Sequence, residues 1–262
     1  MSTPSRLLLA FAAILCLFSC KKVFDFEKDH PLEVASCCQV KTIDYGGSFT
    51  YNVTYNAAGN PISYLAQGFS YYPDYYFRYD RQGRLKDYMA TYNGTTSIAI
   101  WSRYFYPGPG LMGDSVLEYQ GDFTQYPNPP FPDGLTISVS LSRLDREGRP
   151  VSYTYTDREG DTGSGTIEYD RAGNLVIPGV MYDNKVNPYQ TNKIWQQVFG
   201  DYSRNNPYPA GISAYNNYGL PVEYLSTPSL YVHAFGFPPT NYLIRLVYSC
   251  DSTRLAGSKG IK

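Results

Sequence analysis

Apolar and polar positions alternate with a period of two along much of this chain. In Phe49-Thr50-Tyr51-Asn52-Val53-Thr54-Tyr55, large apolar side chains fall on one face of an extended strand and Thr or Asn on the other. Ile137, Val139 and Leu141 alternate with Ser138, Ser140 and Ser142, and Ile244, Leu246 and Tyr248 repeat the pattern near the end. Strands are predicted from near Val40 through Tyr55, then over 62–69, 74–79, 84–92, 96–106, 115–119, 135–144, 150–156, 164–169, 221–226 and 241–249. The Pro- and Gly-dense stretches 107–113 and 126–134 read as loops. One segment breaks the rhythm. Ile194, Trp195, Val198 and Phe199 recur at helical spacing, which predicts one short helix near 191–199 covering an edge or a face of the sheet.

A recurring pattern, Tyr-Asp-x-x-Gly or a close relative, punctuates the strands. It stands as Tyr55-Asn56-Ala57-Ala58-Gly59, Tyr79-Asp80-Arg81-Gln82-Gly83, Leu144-Asp145-Arg146-Glu147-Gly148, Tyr169-Asp170-Arg171-Ala172-Gly173 and Tyr215-Asn216-Asn217-Tyr218-Gly219. Asp or Asn opens a type I turn by accepting local backbone N–H bonds, and Gly takes the left-handed conformation that ends it. Gly59, Gly83, Gly148, Gly173 and Gly219 are therefore predicted to have positive φ. Each turn launches a new strand, among them Asn174-Leu175-Val176-Ile177 and Leu220-Pro221-Val222-Glu223-Tyr224. Repeated hairpins predict an all-β fold: an antiparallel β-meander forming a long twisted or curled sheet, with a half-open barrel or sandwich as the alternative.

This pattern resembles the YD repeats of RHS-type proteins, and the chain is similar to secreted bacterial lipoproteins that carry a few such units. The resemblance covers residues 40–250 and implies long antiparallel sheets. The chain is too short for the closed shells that long RHS arrays build. Its N-terminus fits the lipoprotein reading. Arg6 precedes an apolar run from Leu7 to Phe18, long enough for a signal-peptide core and too short to span a bilayer. Leu17-Phe18-Ser19-Cys20 resembles a lipobox, which implies cleavage before Cys20 and its acylation with chains such as palmitate. Lys21 stands where an Asp would imply inner-membrane retention, so the expected location is the outer membrane of the bacterial envelope, facing the periplasm or the surface. The organisation is then 1–19 signal peptide, 20–39 lipid-anchored tether, 40–250 one all-β domain, and 251–262 flexible C-terminal tail. In that oxidising compartment Cys37 or Cys38, before the first strand, stands to bridge Cys250, after the last; Cys38–Cys250 is a candidate disulfide, and the choice between the two neighbouring thiols is open at this point.

Composition narrows the chemistry. The formal charge is −1 and charged residues make up 17% of the chain, which gives no basic footprint for nucleic acid. The 28 tyrosines are instead the surplus, and they suit half-buried pleated surfaces. No cofactor or metal is expected: Gly160-Asp161-Thr162-Gly163-Ser164-Gly165 lacks the Lys and helix of a phosphate loop, and no cysteine pair has zinc spacing. Gly163-Ser164-Gly165 reads as a turn. His30 falls in the tether, and His233, in an aromatic stretch, reads as a packed or edge residue. No catalytic residue is assigned. The acids Asp80, Asp145 and Asp170 serve the turns, and two carboxylates brought together only in space would make a glycosidase-like hydrolase the alternative function. The preferred function is non-catalytic: a binding or assembly module for a glycan or an envelope protein, with Tyr72, Tyr75, Trp101 and Tyr104 as the candidate binding aromatics.

Overall fold

The computed structural model describes residues 38–47, 49–67, 73–92, 97–118, 136–207, 211–225 and 243–250. The expected signal peptide, Cys20, Cys37, Tyr72, both histidines, the predicted 126–134 loop and residues 251–262 lie outside the described residues. Strands β1 (Val40–Tyr45), β2 (Thr50–Tyr55), β3 (Pro61–Gln67), β4 (Asp74–Tyr79), β5 (Leu85–Tyr92), β6 (Ser97–Phe105), β7 (Leu111–Glu118), β8 (Thr136–Leu144), β9 (Pro150–Asp157) and β10 (Thr162–Thr166) follow one another as antiparallel neighbours. A crossover follows, with β11 (Tyr182–Val186), a 3-10 turn (Pro188–Thr191), helix α1 (Lys193–Phe199) and β12 (Asn205–Pro207). The chain then forms β13 (Ile212–Tyr215), β14 (Pro221–Leu225) and β15 (Leu243–Tyr248). The main sheet has 13 strands in the order β10 through β1, then β15, β14 and β13. Among the described residues the fold is thus the predicted long antiparallel meander with one short helix, and its sheet is not a closed barrel.

The motif turns form as the side-chain chemistry requires. In the second copy, Asp80 Oδ1 accepts from the N–H groups of Gln82 and Arg84, both at 2.9 Å, and the Gly83 N–H bonds the Asp80 carbonyl. Asn56, Asp145 and Asn216 accept the same pair of N–H groups in their own turns. The five motif glycines have φ of 81°, 76°, 80°, 88° and 75° in chain order. A further turn of this kind, Asp157-Arg158-Glu159-Gly160, joins β9 to β10 without a preceding Tyr.

All five motif turns lie at one end of the sheet, and there the strand-ending tyrosines bind the rims together. Tyr55 Oη donates to the Val40 carbonyl at 2.7 Å, Tyr79 to Pro61 at 2.5 Å and Tyr106 to Leu85 at 2.9 Å. Tyr169 donates to Pro150 at 3.1 Å and Tyr248 to Pro221 at 2.8 Å. The turns join β2 to β3 and β4 to β5. The hydroxyls join β1 to β2, β3 to β4 and β5 to β6, so turn and hydroxyl alternate along the rim. Arg84 lies 4.2 Å from the Tyr106 ring and Arg149 4.1 Å from the Tyr169 ring, each while paired to its turn Asp. The Cys38–Cys250 disulfide closes β1 onto β15 at the same end.

The sheet curls. Flat, thirteen strands would span on the order of 55–60 Å at the usual inter-strand spacing. Yet the short β11–β12 ribbon touches both ends of the order: Asn205 meets Asn174, just past β10, and Asp183 meets Tyr215 of β13. The main core fills the inner face, where Tyr45, Tyr51, Tyr64, Phe77 and Leu246 pack with Ile194 and Trp195 of α1. Pleating sends Met89, Trp101 and Leu117 to the other face, where they form a second buried cluster with Tyr76. Beside it Arg78 grips fully buried Asp87 at 2.6 and 2.7 Å.

Four details differ from the sequence reading. Gly163-Ser164-Gly165 is the middle of β10 rather than a turn, because Tyr155 and Tyr153 lie over the two glycines and replace their missing side chains. The 107–113 loop ends early, with Leu111, Met112 and Gly113 in β7, where Phe105 covers Gly113 in the same way. Asn174-Leu175-Val176-Ile177 makes one bridge, Leu175 to Tyr169, instead of a strand, since the crossover departs there. Strands β11, β12 and β13 had no alternating pattern to announce them.

Two stability outcomes follow. Tyr79→Phe removes one rim hydrogen bond while keeping the ring, and is expected to lower unfolding free energy by about 1 kcal/mol in urea titration. Replacing Cys38 and Cys250 together by Ser opens a loop spanning 212 residues of sequence separation. It is expected to cost about 2–5 kcal/mol, read as a lower thermal midpoint without loss of β-type circular dichroism.

Candidate functional site

The crossover covers only part of the inner face. Asn192 caps α1 by accepting the Ile194 N–H at 2.9 Å and also donates to the Gly59 carbonyl at 2.9 Å, which pins the helix start over the β2–β3 turn. Trp195, fully buried, meets Phe77 edge-on with centroids 5.6 Å apart. Gln197 donates to Tyr106 Oη at 3.1 Å. Polar bonds hold the rest of the segment. Buried Asn187 bonds Asp201 at 2.9 Å, and buried Asn206 bonds Asp183 at 3.0 Å. Asn205 N–H donates to buried Asn174 at 2.8 Å. This asparagine-rich stretch is a fastener whose side-chain amides are satisfied by carboxylates and backbone groups, as buried amides must be.

Between the helix end and strands β5–β9 the crossover leaves a cleft of about 340 Å³. The sheet contributes Tyr88, Tyr104, Asp114 and Tyr153; the segment after β10 contributes Tyr169; the stretch following α1 contributes Tyr202. Strand register explains the meeting. Tyr104 pairs with Asp114, Asp114 with Ser140 and Ser140 with Tyr155, while Ser142 pairs with Tyr153 in the next row. The cleft is therefore read across strands, not along the chain.

Its tyrosine hydroxyls are held neutral, and its carboxyl binds a proton more tightly than an ordinary carboxylate. Burial pushes the Tyr104 hydroxyl well up, with Tyr88 and Asp114 adding to the effect, and burial likewise raises Tyr202. Tyr169 is pushed up to about 12 by burial, against the favourable charge of Arg149. Burial also raises the Asp114 carboxyl, and the Ser140 hydroxyl, which donates to it, offsets part of that shift. The hydroxyls of Tyr104 and Tyr202 have no hydrogen-bond partner among the described residues, although Tyr202 is only 7% exposed. Such a group can both donate to and accept from a ligand. Asp114 is the one carboxylate among the described lining residues.

The aromatics singled out in the sequence fare differently. Tyr104 lines the cleft. Tyr75 does not: it is 7% exposed and continues a ring ladder in which Tyr51 and Tyr64 lie 4.0 Å apart and Tyr64 and Tyr75 lie 5.3 Å apart. Trp101 is 2% exposed in the second core, on the opposite face, under the Arg78 guanidinium. Both are core residues, because a sheet covered on both faces buries aromatics of either parity. Tyr153, Tyr169, Tyr202 and Asp114 were missed. One sequence signal pointed to them: Asp114 interrupts the apolar alternation of Met112 and Val116 with an inward carboxyl.

The chain matches no protein-family model and no curated protein.

Asp114 makes the site testable by pH. Its folded-state affinity for a proton exceeds that of the unfolded chain. The associated stability is thus full below the ordinary carboxylate range and is lost as pH rises through the raised value. Asp114→Asn is expected to raise the thermal midpoint at pH 7 relative to wild type. The difference should vanish at pH 3, where both side chains are neutral; thermal melts at the two pH values check this.

Proposed function

We propose that the protein is a non-catalytic binding module of the bacterial envelope, anchored to the outer membrane through acylated Cys20, and that its cleft holds a glycan. One observation carries the reading: the cleft combines aromatic walls with partner-free, neutral hydroxyls at Tyr104 and Tyr202. Sugars present apolar ring faces and a rim of hydroxyls, and this lining complements both. Two-carboxylate hydrolysis needs a second acid opposite Asp114, and the described lining supplies none. The lipobox-like Leu17-Phe18-Ser19-Cys20 and the YD-like repeats support the envelope setting.

Mass spectrometry of the membrane-extracted protein is expected to find an acylated Cys20 as the first residue. On a glycan array, Tyr202→Phe is expected to weaken the bound glycan by about fivefold, the worth of one hydrogen bond, with an unchanged thermal midpoint. Release of sugar from the captured glycan, abolished by Asp114→Asn, would replace this reading by the hydrolase.

A further inference from the structure

We infer that the ligand is a linear, neutral polysaccharide that runs out of the cleft onto a tyrosine shelf on strand β9. This rests on the cleft reading above and adds the chemical class and the length of the ligand.

The shelf is formed by Tyr153 and Tyr155, with ring centroids 6.4 Å apart and planes inclined by 26°. Each ring leans across its partner on the next strand, Tyr153 over Gly165 and Tyr155 over Gly163. A Cβ on Gly163 would stand 2.4 Å from the Tyr155 ring, and one on Gly165 would stand 2.7 Å from the Tyr153 hydroxyl. Glycine at both positions lets the rings settle on backbone. The rings remain 37% and 42% exposed, unlike Tyr51, Tyr64 and Tyr75 in the inner ladder. Val139 and Leu141 are as exposed on the opposite face of this wing, so what sets the two rings apart is their place in series beside the cleft.

The shelf is continuous with the cleft. Tyr153 lines the cleft itself, and Tyr155 stands two residues further along the strand. The floor between them and Asp114 is a row of hydroxyls, Ser140 and Ser142, set by the register of β7, β8 and β9. Paired strands on this face carry no Lys or Arg, and Arg149, which stacks on the Tyr169 ring, is already held by Asp145 and Glu147, so an anionic glycan meets Asp114 without a free counter-charge on the strip. A protein partner would be expected to use charged rim contacts that this strip lacks. Two aromatic faces in series with hydroxyls beside them match successive sugars of one chain, since each ring takes an apolar sugar face and leaves the sugar's equatorial hydroxyls to the serines.

The test is calorimetric titration of the full mature lipoprotein in detergent. Probes are neutral glucan, mannan and xylan oligosaccharides from disaccharide to hexasaccharide, with polygalacturonate oligomers as the acidic counterpart. The expected result is affinity for at least one neutral series that rises about tenfold or more with length, a gain of 1.4 kcal/mol or more. Tyr155→Ala should abolish that gain and leave the disaccharide unchanged, whereas Tyr155→Phe, which keeps the ring, should retain it. A hexasaccharide bound no better than a disaccharide overturns the proposal, as does a preference for polygalacturonate or wild-type behaviour of Tyr155→Ala. If length dependence is missing but Tyr202→Phe still weakens the disaccharide, the cleft reading stands and the shelf fails. If no probe of any series binds, both fail.

Discussion

The hydrogen bond from a strand-ending tyrosine to the first carbonyls of the neighbouring strand holds this molecule together. A thirteen-strand sheet joined by short turns is secure at each turn and open at each gap between turns. Tyr55, Tyr79, Tyr106, Tyr169 and Tyr248 close such gaps at one rim. Each bond is modest by itself, on the order of 1 kcal/mol. Their effect is geometric: a donor fixed at the tip of a rigid ring sets the stagger of two strands where no covalent connection does. Where Leu144 replaces the tyrosine, its own N–H bonds the Gly110 carbonyl at 2.7 Å, so that rim position is satisfied by backbone instead.

The rest of the aromatic inventory follows from this frame. Rings inside the curl form the ladder from Tyr45 to Tyr75 and receive Trp195 from the crossover. Rings over glycines substitute for side chains at Gly113, Gly163 and Gly165. The curl itself lets one short ribbon reach both edges of the sheet, and the crossover then has only enough chain to cover the strands near β1. Among the described residues nothing covers the inner face of the wing toward β10, where Tyr153 and Tyr155 are exposed, and the cleft lies at the boundary. Binding capacity at that boundary is thus a by-product of where the covering segment stops, reinforced by an inward carboxyl and tyrosine hydroxyls that the packing leaves without partners.

Much of the architecture was legible in the chain. The period of two identified the strands of the meander, and Asp or Asn followed by Gly located five turns, because turn conformation is decided by side-chain oxygens and by the absence of a Cβ within a few residues. The helix was visible for a similar reason, as spacing of Ile194, Trp195, Val198 and Phe199 over two turns. A clasp between the chain ends was readable, since Cys37 and Cys38 precede the first strand and Cys250 ends the last; the fold selects Cys38.

Other features depend on which strands become neighbours and what lies above them. Alternation shows that Trp101 and Tyr104 face opposite sides; it cannot show that both sides are covered at Trp101 and neither at Tyr153, where Val139 and Leu141 are exposed on the opposite face. The pairing of β1 with β15, the curl, and the row Tyr104–Asp114–Ser140–Tyr155 all join residues far apart in sequence. Local chemistry by itself therefore determined most strands of the meander, the five motif turns and the all-β class. The tertiary structure alone decided which tyrosines became rim bonds, core or cleft, because burial and hydrogen-bond partnership belong to the assembled sheet and not to any one segment of it.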